Sequence, residues 1–402
     1  MVNAAQLLRS AMGLTKFLMT QLLGALRCFL TGKGEEGTEL IRLALQGLHD
    51  DVATIIASRY RDAPPLLPNE VARILIVKLD RLGDMVNTTP VFEFLRHRYP
   101  LAQLDIVGHP AVLKLLENDS RLNARFSYKS SLYHKSSLRP PGFVAWRLVR
   151  ELRKARYPLV VYLRGSIPFL VLGFQSRFVA TKFVEGEPVI RRYLRPLGAS
   201  LVPTDPIPVP TLHVSSASFA RVSVKHPQLA QGGYVVVHAV SAAVGKQWPL
   251  ERFARIADWM ADRLEATILF LATPAEEHKM SQIKSLCVRS HVFETGCSLS
   301  EVVSAIANAD VFLGNDSGLA HIAAGVGTRE VVIWGGANRE MAQPATAAGF
   351  CTVLYRDVPC RQVCPEVRCC GPRHIACLMD ITESAVTDAV YAQVRAARAT
   401  RH

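Results

Sequence analysis

Apolar residues follow a helical spacing through the first 56 residues. Between residues 4 and 30 they recur at alternating steps of three and four, and residues 40–56 repeat the pattern after Gly32-Lys33-Gly34. This spacing gathers apolar side chains on one face of a helix. We therefore predict an N-terminal helical hairpin over residues 1–65. Its apolar face packs on the protein body or on another subunit, or it attaches as a basic amphipathic helix to a membrane surface.

From residue 73 onward the pattern changes to short apolar runs separated by helical stretches. Runs rich in β-branched residues occur at 74–77, 104–107 and 159–163. Continuous runs of this length are typical of parallel strands that are buried on both faces. Prolines then cluster between residues 201 and 214, which predicts an interdomain linker.

The same alternation restarts beyond the linker. It predicts strands at residues 234–238, 267–271, 311–314 and 331–334, with helices at 250–263, 276–289, 299–308 and 319–327. Alternation on both sides of a linker predicts an α/β fold of two doubly wound, Rossmann-like domains, over 71–210 and 215–385. Ligands bind such sheets at the carboxyl ends of the strands, so two facing lobes predict a cleft. A last helix in the tail, residues 383–402, is expected to cross back to the first lobe.

The net positive charge of the chain indicates which kinds of partner it is expected to bind. The net charge is +13, which favours acidic partners. Basic residues are enriched between residues 121 and 195, but they are scattered rather than interleaved with aromatic residues as in nucleic-acid-binding modules. We therefore expect no nucleic-acid partner, and an anionic glycan or membrane surface instead.

Cysteine usage bears on the compartment and on metal binding. Five of the nine cysteines lie in a cysteine-rich segment, residues 360–380: Cys360, Cys364, Cys369, Cys370 and Cys377. They lack the usual Cys-x2-Cys pair, so a structural zinc or iron ion and free thiols or an adventitious disulfide are both open. The apolar stretch at residues 7–30 is interrupted by Arg9, Lys16 and Arg27 and fits neither a signal peptide nor a membrane span. We expect a cytoplasmic protein.

One predicted strand end combines small and polar residues in a way that points to a ligand. The strand at 311–314 runs into Gly314-Asn315-Asp316-Ser317-Gly318, and His321 follows one helical turn later. Exposed backbone N–H groups at a helix start form an anion pocket that suits phosphate. A helix cap with a packed histidine is the simpler alternative, but capping alone needs fewer of these residues.

Two further strand ends carry weaker signals. Gly83-Asp84 follows the first strand, where the glycine permits a tight turn and the carboxylate can face the cleft or cap a helix. Lys246 precedes a helix beyond the strand at 234–238, where a cation can meet a phosphate oxygen or remain in solvent. Taken singly, neither residue has an assigned chemistry.

Together these segments resemble glycosyltransferase family 9, the ADP-heptose:lipopolysaccharide heptosyltransferases. The matches occur in the order of the family's motifs: ILIVKLDRLGD at 74–84 with Thr88–Pro90, KQWPLERF at 246–253, GNDSG-x-x-HIAA at 314–324, and the tail ending at 377–381. The resemblance covers about residues 71–390 and implies a GT-B architecture. It also implies an inverting, metal-independent enzyme that needs no cofactor for catalysis.

The resemblance also implies a role for each residue. Asp84 would be the general base that deprotonates the acceptor hydroxyl, in a turn shaped by Gly83, Thr88 and Thr89, and Lys246 would neutralise the departing diphosphate. The donor-binding residues would be Gly314, Asn315, Asp316, Ser317, Gly318, His321 and Glu276. Among them, Asp316 would bind sugar hydroxyls and Glu276 the ribose, while Ser317, Gly318 and His321 would contact diphosphate.

We therefore predict an inverting glycosyltransferase with ADP-heptose as donor and a phosphorylated glycan, such as lipid A–core, as acceptor. Peripheral contact with the inner membrane and homo-oligomerisation go with the hairpin. Two alternatives stay open: a protein heptosyltransferase that modifies a surface protein, and a non-catalytic sugar-nucleotide-binding or assembly protein. The presence of both Asp84 and Lys246 favours an active enzyme over the last.

Overall fold

The computed structural model describes most of the chain from residue 51 onward. The described residues are 51–60, 63–129, 143–164, 167–174, 176–181, 184, 186–199, 205–231, 233–241, 243–336, 338–360, 369 and 375–400. Most of the predicted N-terminal hairpin lies outside them. Its described part contains a helical stretch at residues 51–58, which packs Ala53 and Ile56 into the first domain's core.

Two parallel sheets form the framework. The first contains β1 (Arg73–Lys78), β2 (Gln103–Gly108), β3 (Ala124–Ser127), β4 (Leu159–Arg164) and β5 (Arg177–Ala180). The second contains β6 (Tyr234–His238), β7 (Thr267–Leu271), β8 (Val292–Glu294), β9 (Val311–Asn315), β10 (Arg329–Trp334) and β11 (Cys351–Tyr355). The strand orders are β3-β2-β1-β4-β5 and β11-β10-β9-β6-β7-β8, so each sheet is doubly wound around its first strand.

Helices connect the strands and cover both sheets. They are α1 (Leu82–Val86), α2 (Thr89–Arg98), α3 (Pro110–Leu113), α4 (Phe143–Lys154), α5 (Ile167–Leu170), α6 (Val189–Leu194), α7 (Ser216–Lys225), α8 (Leu250–Leu264), α9 (Glu277–Leu286), α10 (Leu299–Ala307), α11 (Gly318–Val326), α12 (Arg339–Ala342), α13 (Ala376–Met379) and α14 (Glu383–Ala399). Short 3₁₀ turns occur at Pro68–Glu70, Lys114–Leu116, Val171–Phe174, Arg195–Leu197, Pro227–Leu229, Val244–Lys246 and Pro274–Glu276. Within the described residues, no helix is long and apolar enough to span a membrane.

The central strands are the ones that the sequence pattern predicts. Every residue of β6 and β9 is buried, and β1 is buried except at Arg73. A parallel strand covered by helices on both sides has no polar face, so its apolar run is continuous. The predicted pair of doubly wound α/β domains is confirmed, while the predicted domain boundaries stay predictions.

The edges of the sheets differ from the prediction. Strands β3, β5, β8 and β11 have no predicted counterpart, because β8 has only three residues and β11 has no buried residue. No apolar run in these four strands is longer than three residues, which is too short to indicate a strand. The predicted helix at 276–289 is shorter than expected: α9 ends at Leu286 because Cys287 is extended.

One of the apolar core clusters contains residues of both domains. It includes Val86 and Leu212 from the first domain and linker, and Ala320 and Ala323 from α11. The last helix does not cross back to the first lobe as expected. Its buried stripe of Val386, Val390 and Val394 instead joins the core on the outer face of the second sheet.

Glu330 on β10 is a buried acid with an unusual environment. Its side chain is fully buried, and neither oxygen has a hydrogen-bond partner among the described residues apart from the neighbouring Cys351 thiol. Burial raises the pKa of Glu330 well above its usual range, so the folded protein holds it protonated. Above the ordinary pKa of a glutamate, unfolding releases this proton, and stability falls as pH rises.

We expect Glu330→Gln to raise the free energy of unfolding more at pH 8 than at pH 5, because the amide cannot ionise when the chain unfolds. Thermal denaturation at the two pH values measures the difference. The exposed Glu340 on α12 supplies the control, since Glu340→Gln should shift neither curve. An equal shift for Glu330→Gln at both pH values would contradict the explanation.

Candidate active site

The carboxyl ends of the two sheets face each other where α1 packs against α11. Glycines on α11 allow the close approach. A Cβ on Gly318 would lie 3.1 Å from Leu82, and one on Gly325 would lie 3.0 Å from Leu212. The amide N–H of Leu212 also donates to the Gly325 carbonyl at 2.7 Å. The predicted cleft between the lobes therefore has its base at this helix pair.

Gly83 and His321 are in contact across this base. A Cβ on Gly83 would lie 2.6 Å from Cδ2 of His321, which is closer than packed atoms can approach. His321 is buried on α11. Asp84 is the residue after Gly83 on α1. The first-lobe turn and the second-lobe motif, 238 residues apart in the sequence, are therefore parts of one site.

We expect Gly83→Ala to lower turnover by about a hundredfold, because the added methyl displaces His321 or α1, and a shift of about 1 Å is sufficient for such a loss. Steady-state kinetics with a melting curve separates this effect from unfolding. Gly296→Ala is the matched control, since its nearest contact would be an ordinary 3.4 Å. Wild-type turnover in Gly83→Ala would show that this contact does not position the site.

Asp84 is half-buried, and its surroundings are built by the first lobe. Its Oδ1 accepts a hydrogen bond from Tyr193 OH at 3.4 Å, and its backbone carbonyl accepts from Thr88 Oγ1 at 2.8 Å. Thr89 Oγ1 donates to the Val86 carbonyl at 2.9 Å. Thr88 and Thr89 are fully buried, so their hydroxyls stabilise the turn and do not line the cleft.

Asn315 connects three loops of the second lobe. Its Oδ1 accepts from the Trp248 amide at 3.0 Å, and its Nδ2 donates to the Ala239 carbonyl at 2.9 Å. The side chain is fully buried, so both ends of the amide are engaged by the protein. Gly314 is equally confined, since a Cβ there would lie 2.9 Å from the Phe312 ring. These two motif residues shape the donor loop from beneath.

Lys246 and Asp316 form an ion pair at the cleft. Lys246 Nζ lies 2.7 Å from Asp316 Oδ2, and the lysine side chain keeps 23% of its surface exposed. The position of Lys246 depends on two glycines. A Cβ on Gly335 would overlap the Gly245 carbonyl oxygen, and the same oxygen accepts from the Gly336 amide at 3.2 Å. The sequence pattern did not single out this contact, although a Gly-Gly pair after a strand is a signal of close backbone approach.

Several buried polar atoms at the site have no partner among the described residues. They are Nδ1 of His238, Oγ of Ser317 and Nδ1 of His321. Burial lowers the pKa of His238 to about 4 against the opposing charge of Glu276. Burial also lowers the pKa of His321 and outweighs the nearby Asp316 and Asp84. Because neutral imidazoles and hydroxyls can donate and accept, these atoms are suited to ligand oxygens.

Glu276 lies at the carboxyl end of β7, next to the end of β6. One carboxylate oxygen accepts from the Thr273 amide at 3.0 Å and from Thr273 Oγ1 at 2.7 Å, which caps the following turn. Its charge acts on His238 at the adjacent strand end. Glu276 therefore borders the same pocket as the motif that begins at Gly314.

The candidate metal ligands fall into two groups. Of the cysteine-rich segment, Cys364 and Cys370 lie outside the described residues, so its metal binding stays a prediction; Cys377 is buried in the core that contains Trp248. Elsewhere in the described chain, ligand atoms of Asp258, Cys287 and His291 lie within 4.8 Å of one another. Asp258 already accepts from two backbone amides and His291, so it caps this turn, away from the cleft.

Comparisons with known proteins agree with this geometry. Residues 170–366 match the model of glycosyltransferase family 9 (heptosyltransferase). Lipopolysaccharide heptosyltransferase 3 of Escherichia coli is 25% identical over 309 residues, which span 69% of this chain and 88% of that protein.

Two solved structures share the fold. The family 9 glycosyltransferase of Veillonella parvula gives a TM-score of 0.69 at 18% identity and covers 83% of this chain and all of its own. The ADP-heptose lps heptosyltransferase II of E. coli gives 0.63 at 18% identity, over 81% of this chain and 99% of its own. The two Rossmann-like domains thus form the GT-B architecture, as the sequence resemblance implied.

Proposed function

We propose that this chain, which belongs to glycosyltransferase family 9, transfers a heptose from ADP-heptose to a hydroxyl of a phosphorylated glycan such as lipopolysaccharide core. One observation carries the proposal. Gly83, which precedes Asp84 in the first lobe, contacts the His321 ring of the second lobe, and Lys246 pairs with Asp316 at 2.7 Å in that second lobe. A base, a cation and ligand-binding groups are therefore gathered around one point, as displacement at an anomeric carbon requires.

The donor would lie against the second lobe. The first N–H groups of α11, Ser317 Oγ and the neutral His321 ring can bind the diphosphate oxygens. Lys246 supplies the positive charge that stabilises the departing diphosphate. Asp316 is then available to accept hydrogen bonds from hydroxyls of the sugar. Glu276, at the neighbouring strand end, would take the ribose.

The acceptor would approach from the first lobe. Its hydroxyl oxygen attacks the anomeric carbon while the bond from that carbon to the diphosphate oxygen breaks. The hydroxyl proton passes to the Asp84 carboxylate, and the diphosphate leaves with the bonding electron pair. With the acceptor hydroxyl and Asp84 on the side of the anomeric carbon opposite the diphosphate, this single displacement would invert the anomeric configuration.

Charge on the first lobe supports an anionic acceptor. Arg81, Lys114 and Lys129 are exposed near the carboxyl ends of β1, β2 and β3. Cations at this edge attract phosphorylated glycans and would hold phosphates beside Asp84. Cytoplasmic location, peripheral membrane contact, homo-oligomerisation and the lack of a nucleic-acid partner stay predictions from the sequence.

Incubating the protein with ADP-heptose and deacylated lipopolysaccharide core, with and without its phosphates, tests the proposal. We expect the mass of the phosphorylated core to increase by one heptose, and the melting temperature to rise with ADP-heptose by mass action. UDP-glucose and GDP-mannose are the matched donors, which should give neither result. Transfer to a surface protein instead of core would favour a protein heptosyltransferase, and no stabilisation by any ADP-sugar would overturn the donor assignment.

A further inference from the structure

Lys78, at the end of β1, is a cation without any exposed surface. Its Nζ donates to Asp80 Oδ2 at 2.9 Å and to Tyr193 OH at 2.6 Å, and it lies 4.3 Å from the centre of the Tyr193 ring. Burying a charge is costly unless it is paired and hydrogen-bonded. The lysine therefore belongs to a built network rather than to general packing.

The network contains more than is needed to neutralise one buried charge. Asp80 pairs with Lys78 and also lies 3.5 Å from Arg164 Nη1. Burial tends to lower the pKa of Lys78, but Asp80, Tyr193 and Asp84 outweigh it and hold the pKa above its usual range. With Asp80 already paired to two cations, the contact between Lys78 and Tyr193 has a separate consequence.

That consequence is the direction of the Tyr193 hydroxyl. Because the hydroxyl oxygen accepts from the ammonium, its own hydrogen is directed elsewhere, and Asp84 Oδ1 lies 3.4 Å away. Burial raises the pKa of Tyr193 above its usual range, so the phenol remains a donor. The positive charge of Lys78 also strengthens this donor.

We propose that Tyr193, oriented by Lys78, is a positioning residue that holds the ionised Asp84 carboxylate toward the acceptor. This inference rests on the proposed function, in which Asp84 is the general base. The hydrogen bond fixes the carboxylate rotamer from its buried side and leaves Oδ2 for the incoming hydroxyl proton. A base held in this way needs no reorientation during the attack.

The other ionisable groups near Asp84 lie on the strands, helices and loops around it. Lys78 is the last residue of β1, and Asp80 lies two residues beyond it. Tyr193 lies on α6 and His321 on α11. Lys246 and Asp316 lie in the same cleft, where their charges act on His321. Of these groups in the described part of the chain, the Tyr193 hydroxyl makes hydrogen bonds only to Lys78 and Asp84. A change caused by removing the hydroxyl is therefore expected to act on Asp84.

The test is Tyr193→Phe, which keeps the ring over Lys78 and removes the hydroxyl. We expect kcat to fall about tenfold with KM nearly unchanged, since a hydrogen bond to an ionised group is lost. The fall in kcat should exceed any loss of folded protein seen in a melting curve, because the hydroxyl orients the carboxylate rather than supporting the fold. An unchanged kcat, or a fall that the melting curve fully explains, would overturn the inference.

Tyr157→Phe is the matched control. Tyr157 OH donates to Asp105 Oδ2 at 2.7 Å in the same domain, before β4 begins and away from the cleft. Its loss should lower the melting temperature without moving kcat or KM. If Tyr193→Phe behaves in the same way, Tyr193 is structural only.

A second variant tests the role of the cation. The double substitution Lys78→Met with Asp80→Asn removes one charge of each sign and avoids leaving either partner buried alone. We expect it to reproduce the fall in kcat of Tyr193→Phe, with KM nearly unchanged. Asp84→Asn distinguishes the role of the base from the positioning role of Tyr193. Normal turnover in Asp84→Asn would remove the proposed base, whereas loss of turnover there with an unchanged kcat in Tyr193→Phe would remove the positioning role alone.

Discussion

Asp84→Asn is expected to lower kcat by about two to four orders of magnitude, the range that a positioned general base contributes. The asparagine has almost the same shape and can still accept from Tyr193, but its amide does not take up the proton of the acceptor hydroxyl. The KM for the donor should stay within a factor of about three, because the donor contacts lie on the other lobe.

The measurement is single-turnover transfer followed by mass spectrometry, with a melting curve for each variant. Glu93→Gln is the matched control, since Glu93 is an exposed carboxylate on α2 of the same lobe, 3.5 Å from Arg121. It should retain wild-type turnover. Transfer by Asp84→Asn at the wild-type rate would show that another group, or the substrate itself, accepts the proton.

Lys246→Gln is expected to lower kcat/KM by about two to three orders of magnitude, the typical loss when one group that stabilises developing charge is removed. Lys246 is paired with Asp316 at 2.7 Å, so its loss also leaves this carboxylate, only 8% exposed, without that cation. The donor diphosphate would then meet an uncompensated negative charge. Part of the effect should therefore appear as weaker donor binding.

The double variant Lys246→Gln with Asp316→Asn separates these two contributions. We expect it to recover donor binding in part, as seen in a titration of ADP-sugar by calorimetry, without recovering turnover. Lys225→Gln is the control, because Lys225 forms a comparable pair with Glu294 at 2.5 Å elsewhere in the second domain. Full activity in Lys246→Gln would require another source of charge at the leaving group.

The order and type of the central elements could be predicted from the sequence because a strand that is buried on both faces has a continuous run of apolar residues. The middle residues of strands β1, β6 and β9 are apolar and are covered by neighbouring helices, so the run itself indicates the strand. Edge strands have no apolar run of that length. Strand β11 is half-buried along its length and pairs only with β10, so its position depends on a neighbour rather than on its own pattern.

In the candidate site, too, some features could be predicted from a local motif, whereas others depend on contacts between distant residues. The residues from Gly314 to His321 stand out in the sequence because a glycine-rich strand end that opens a helix is a local motif. The sequence does not distinguish the buried, bridging Asn315 from the cleft-facing Asp316 beside it, since the partners of Asn315 are the backbone of residues 248 and 239. Which member of a motif faces a ligand is decided by contacts that the motif does not contain.

By itself, then, the sequence determined the two α/β domains, the strand ends that carry polar residues, and the family resemblance that connects them. Only the tertiary structure brought Gly83 against His321, Gly335 against Gly245, and Lys78 against Tyr193, which are 115 residues apart. The physical reason is the distance along the chain between the residues that interact. Burial and helix or strand periodicity act on neighbouring residues and are visible in order, whereas steric contact and the pairing of buried charges depend on which surfaces the folded chain brings together.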